Sequence, residues 1–178
     1  MTGATIATPV DERRTLSTRW LVFFTAVVVI QGVHVLEHVV QLAQVHVLGV
    51  PDDDALGLLG YVFQFQGTEE WLHLVFNLAY LSGIYLLVAF VRRAVPAIVP
   101  QTAFVVFLIS AVGLQTWHGI EHVVIIARVI ASGGCPCPGV VDVALGTTDT
   151  VLHFFYNAIT YTGLVIPFVY LMRSRSCP

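Results

Sequence analysis

The stretches QGVHVLEHVV (residues 31–40) and QTWHGIEHVV (residues 115–124) carry the same polar residues in the same order, each inside a long apolar run. On insertion scales, one charged side chain at the centre of a spanning helix costs about 2.5–3.5 kcal/mol. A His-x-x-Glu-His set placed twice in such runs therefore requires a compensating partner.

The surrounding composition fixes the fold class. The 178-residue chain is 57% hydrophobic and 11% charged, whereas soluble domains carry about a quarter charged residues. Mean hydropathy is +0.84. Four segments, 20–48, 71–91, 97–131 and 151–172, reach the roughly 20 residues that cross a bilayer. An all-α, integral membrane four-helix bundle is predicted, with the lipid bilayer as its solvent. The polar segment 1–19, with Asp11, Glu12, Arg13, Arg14 and Arg19, is too long and too charged for the basic region of a cleavable signal peptide. The first span is therefore expected to be a retained anchor.

The chain has no lysine, so arginine alone reports topology. Arg13, Arg14 and Arg19 precede the first span, Arg92 and Arg93 follow the second, and Arg173 and Arg175 follow the fourth; Arg128 falls at the other end. The positive-inside rule then places both termini on the cytoplasmic side of the plasma membrane. The loops containing PDDD (51–54) and CPCPG (135–139) are expected on the extracytoplasmic side. A net charge of −3 gives no polyanion-binding footprint, and no nucleic-acid partner is expected.

Aligning 31–44 with 115–128 pairs Gln31 with Gln115, His34 with His118, Glu37 with Glu121 and His38 with His122. Aligning 69–77 with 149–157 pairs Glu69 with Asp149, His73 with His153 and Asn77 with Asn157, and Gly83 meets Gly163 further on. Spanning helices share Leu and Val by composition, but not His, Glu and Asn at fixed offsets. The chain thus reads as a duplicated two-helix hairpin, 20–93 and 97–173, within one membrane domain. Both hairpins start on the same side, so the repeat is parallel, with its pseudo-two-fold along the membrane normal.

Depth gives an independent check. At about 1.5 Å rise per residue, His34 and His38 lie ~22 and ~28 Å above Arg19, and His73 lies ~28 Å from Arg92. His153 lies ~30 Å from Arg173, and His118 and His122 ~27 and ~33 Å from Pro100. Helices of opposite direction thus bring six histidines to one layer, toward the extracytoplasmic side. His34 and His38 share a helix face at i, i+4, flanked by Gln31, Glu37 and Gln41. His46 has no repeat partner and is read as peripheral.

Two imidazoles at i, i+4 and a third from a neighbouring helix make three nitrogen ligands. The expected metal ligands are His34, His38, His73, His118, His122 and His153. Glu37, Glu121 and Glu70 are expected as ligands or catalytic proton acceptors, with Asp149 a further candidate ligand. Asn77 and Asn157, one turn from their histidines, are expected to orient a ring or a metal-bound group. The two sets could form separate sites or one dinuclear centre. Glu-x-x-His at 70–73 is similar to the motif of bundle di-iron proteins, but Thr150 replaces the glutamate in the last helix.

The cofactor reading is a transition metal, two ions, with copper or iron ahead of zinc; haem b is a competitor. Carboxylate ligands lean toward iron or zinc, and an all-histidine shell leans toward copper. The leading function is a metal-dependent oxidoreductase acting on a small or lipophilic substrate, served by an electron-donor or metal-delivery partner outside. Its rivals are a metal-handling protein, a haem electron-transfer subunit and a zinc hydrolase using the inverted zincin pattern His-x-x-Glu-His. A plain hydrogen-bonded polar core is the alternative without a ligand. Cys135 and Cys137, two residues apart, are poorly spaced for a mutual disulfide.

Overall fold

The computed structural model describes residues 17–63, 69–133 and 139–176. Cys135, Cys137, Arg13, Arg14 and part of the 49–68 connection lie outside these, as do the side chains of Glu69 and Glu70. The described residues are helical, with no strand. The helices are α1 (Thr18–His46), α2 (Gly57–Phe63), α3 (Glu69–Arg93), α4 (Gln101–Ser132), α5 (Val140–Leu145) and α6 (Asp149–Ser176). Of these, α1, α3, α4 and α6 are long and apolar enough to cross a membrane.

Breakers set the ends. Beyond α1 come Gly49, at φ 70°, and Pro51. A turn containing Pro96 and Pro100 separates α3 from α4, so α4 starts at Gln101 rather than at the expected 97. Gly133 closes α4 in the left-handed conformation at φ 77°, where a Cβ would be strained. Within α4, residues Phe107–Leu114 form a π-helical stretch immediately before Gln115; such stretches often accompany functional sites.

The long helices form a ring in which α1 neighbours α3 and α6, and α4 neighbours the same two. Consequently α1 stands opposite α4, and α3 opposite α6. Outward faces carry exposed Val22, Val29, Val33, Leu36, Leu86, Ile109, Ile120 and Ile159. An apolar exterior of this extent suits hydrocarbon rather than water.

The interior divides into two halves. Arg19, Arg92, Arg93, Arg173 and Arg175 mark one end of the bundle. The core nearest to them is apolar, built from Leu21, Phe24, Ile84, Leu87, Phe90, Val91, Phe104, Phe107, Leu164 and Leu171. Toward the other end the buried side chains become polar: Gln31, His34, His38, Asn77, Gln115, His118, His122, His153 and Asn157. A belt of amides separates the halves. Gln31 Nε2 donates to Asn157 Oδ1 at 2.7 Å, and Gln115 Nε2 donates to Asn77 Oδ1 at 2.6 Å.

Helix contacts below the belt depend on glycine. A Cβ at Gly163 would collide with the Ser110 side chain in the π-helical stretch, so α6 meets α4 there at backbone distance. At the aligned position, a Cβ on Gly83 would sit 3.4 Å from Val27 Cγ2 of α1, an ordinary contact. Pro167 lacks the amide that would bond the Gly163 carbonyl, leaving the same turn of α6 without one helical hydrogen bond.

Candidate metal centre

All six expected histidines meet in one cluster. His34 and His38 project from one face of α1, His118 and His122 from one face of α4, and His73 and His153 from α3 and α6. His118, His122 and His153 form a buried triad whose ligand-capable nitrogens all lie within 4.8 Å of one another and could hold a metal ion. His118 Nε2 is 2.8 Å from His122 Nε2, which is 3.1 Å from His153 Nε2. Their ring centroids are 4.7, 4.9 and 4.9 Å apart.

These distances suit ligation. With metal–nitrogen bonds of about 2.0–2.1 Å, imidazole nitrogens sharing an ion lie about 3.0–3.6 Å apart and their centroids about 5–5.5 Å apart. The His118–His122 and His122–His153 nitrogen separations and all three centroid distances match to within a few tenths of an ångström, so an ion needs modest rearrangement.

Proton accounting supports the same arrangement. His153 Nδ1 faces two acceptors, the Asp149 carbonyl oxygen at 2.9 Å and Asp149 Oδ1 at 3.0 Å. It therefore carries a hydrogen, and the neutral ring turns the Nε2 lone pair inward. His122 Nε2 must then satisfy two neighbouring nitrogens with one proton or one lone pair. One proton among three nitrogens makes at best a forked bond, whereas a cation accepts all three lone pairs. The Asp149–His153 pair is also the carboxylate–histidine arrangement that orients metal-bound imidazoles. His118 Nδ1 and His122 Nδ1 are buried with no hydrogen-bond partner.

On the α1 side, His38 Nε2 is 3.2 Å from His34 Nε2, and Gln41 Oε1 accepts from His38 Nδ1 at 2.7 Å. His73 stands between the two pairs. Its ring centroid is 6.1 and 6.0 Å from His34 and His38, and 5.7 and 5.9 Å from His122 and His153. Phe76 packs against His34 at 4.2 Å, and Tyr156 occupies the aligned place against His118 at 4.9 Å. The Tyr156 hydroxyl accepts from Trp117 Nε1 at 3.1 Å.

The carboxylates and asparagines have other partners. Glu37 accepts from the backbone amides of Leu59 and Leu58 at 2.7 and 3.0 Å, in the first turn of α2. Gln44 Oε1 accepts from the Gly57 amide at 2.8 Å, completing the attachment of α2 to α1. Glu121 accepts from the Val141 amide of α5 at 2.8 Å. Added Cβ atoms at Gly57 and Gly139 would strike Glu37 and Glu121, respectively, so both loops approach their glutamates at backbone distance. Asn77 and Asn157 donate to the carbonyl oxygens of His73 and His153, four residues back on their own helices, at 2.8 and 2.9 Å, and accept from the belt glutamines. His46 is exposed at the end of α1.

Outside the spans, Asp142 is buried on α5 and accepts from the Gly139 amide at 2.9 Å. Burial, reinforced by the Asp149 carboxylate, pushes its pKa up to about 6. Sequence reasoning missed Tyr156 and Phe76, although the 80-residue offset that pairs Asn77 with Asn157 also pairs these two aromatics. Asp142 had no such signal.

Compared with known proteins, the chain matches no protein-family model, no curated protein and no solved structure.

Proposed function

We propose that the protein is an integral membrane metalloprotein that binds a redox-active transition metal at His118, His122 and His153 and acts as a metal-dependent oxidoreductase. The observation that carries this reading is the convergence of three buried Nε2 atoms, with His153 held by Asp149. The donors are imidazoles, and Glu37 and Glu121 are engaged by backbone amides. An all-imidazole set favours copper, with iron next. In this role the ion supplies electron transfer or dioxygen chemistry, and the six-histidine chamber keeps it from bulk water.

The apolar arginine half argues against a conduit, because among the described residues no histidine, cysteine or carboxylate is buried below the amide belt. A zinc hydrolase needs a general base beside the ion, and the two repeat-matched glutamates face the loops. Haem would have to part imidazoles that now touch. Orientation follows the arginines, with the histidine end on the extracytoplasmic side, where a small or lipophilic substrate and an electron donor would approach. The duplicated hairpin supplies the architecture, and the aligned Gln–Asn and Glu–amide contacts support a parallel repeat.

The test is metal analysis with absorption and paramagnetic resonance spectra on detergent-purified protein, beside a His118→Ala/His122→Ala variant. Copper or iron bound by the wild type and lost in the variant supports the reading. Zinc without a redox signal returns it to hydrolysis, a Soret band to haem, and failure to bind any ion after reconstitution overturns it.

A further inference from the structure

The six histidines are not two equal halves. In the α4–α6 triad every ring pair is already at ligation distance, with centroids 4.7–4.9 Å apart. On the α1 side only His34 and His38 are, at 4.6 Å. Their third candidate, His73, stands 6.1 and 6.0 Å away. This exceeds the roughly 5–5.5 Å separation of imidazoles that share an ion. His73 is just as close to the triad, at 5.7 and 5.9 Å from His122 and His153.

We propose a second metal position, built from His34, His38 and His73, that fills only after the preformed triad is occupied. This inference rests on the metal reading above and adds the number of ions and their order.

The α1 pair is prepared for ligation. The bond from Nδ1 to Gln41 leaves the His38 Nε2 lone pair directed at His34, and the Phe76 ring holds His34 in place. What the pair lacks is a third nitrogen within reach, so its first ion must draw His73 inward. That movement costs free energy which the triad does not require, and the second ion binds more weakly. Two cations on adjacent imidazole sets also repel each other, in the same direction.

Stepwise titration of metal-free, detergent-solubilised full-length protein with Co(II) alone tests this, followed by visible absorption and by bound-metal analysis after desalting. Two equivalents are expected, the second at least about ten-fold weaker. His34→Ala should remove the second step and leave the first intact. His34→Gln keeps a polar side chain and should do the same, guarding against a folding defect. His118→Ala should abolish the tight step. One equivalent only, with His34→Ala and His34→Gln indistinguishable from wild type, overturns the second position while leaving the proposed function standing. Two steps of equal affinity overturn the order. A wild type that takes up no Co(II) and no copper overturns the proposed function, and this inference with it.

Discussion

Gln31 Nε2 donates to Asn157 Oδ1 at 2.7 Å, joining the first and last long helices through two fully buried amides. Asn157 also anchors what lies above it, because its Nδ2 donates to the carbonyl oxygen of His153. Loss of one partner strands the other in the interior, at a cost of about 1–3 kcal/mol. Gln31→Ala and Asn157→Ala should each lower the thermal midpoint in detergent, and the double variant should lose less than the sum. Strict additivity in that cycle would sever the link.

The contact between Gly163 and Ser110 predicts unequal glycine sensitivities. Gly163→Ala should destabilise by about 1–3 kcal/mol, the usual range for overpacking, whereas Gly83→Ala should be milder. Ser110→Ala, which removes one of the two clashing atoms, should restore part of the loss in a Gly163→Ala background. Thermal unfolding of the four proteins is the measurement.

Removing Glu37 or Glu121 should free a loop rather than a metal. Hydrogen exchange at Leu58 and Leu59 should accelerate in Glu37→Ala, and at Val141 in Glu121→Ala, with bound metal unchanged. Loss of stoichiometric metal in either variant would instead make that carboxylate a ligand.

Asp149 should behave differently, since it sets the orientation of His153. Asp149→Ala should weaken metal binding by about 10–100-fold while the number of sites stays the same. Competition with a chelator of known affinity reads this directly.

The elevated Asp142 pKa fixes the sign of a pH effect. Its pKa is about 6 in the fold against 3.8 for the free side chain. The folded state therefore holds the proton more tightly. Asp142 contributes stability that is complete below about 3.8 and is lost as pH rises through about 6. Asp142→Asn, which still offers Gly139 an acceptor, should flatten the fall in thermal midpoint between these two values. An unchanged slope would remove Asp142 as its source.

Much of the bundle is legible in the amino-acid sequence. Length and hydropathy mark the four spans, and helical rise places six histidines at one depth, where they meet. The i, i+4 spacing alone puts His34 beside His38 and His118 beside His122. What stays illegible depends on loops and on neighbour order. Nothing in GLLGYVF (57–63) or VVDVAL (140–145) announces short helices whose amides bind Glu37 and Glu121, because both pieces are too short to carry a periodic signal. Asn77 and Asn157 look like ring-orienting groups because spacing gives the height of a side chain but not its partner. The closer fit of the second triad likewise depends on side-chain placements of about an ångström, which no repeat alignment contains.

The apolar half beneath the amide belt has an electrical consequence. A charge crossing the whole membrane gains or loses about 2.3 kcal/mol per 100 mV. In the proposed role, an ion entering from the histidine end would pass through only the part of that field above Gln31 and Gln115, and would then meet the apolar core. Under the proposed reading, transmembrane voltage would bias how full the histidine layer is without driving an ion through the bundle, which would behave as a capacitor plate rather than as a conductor.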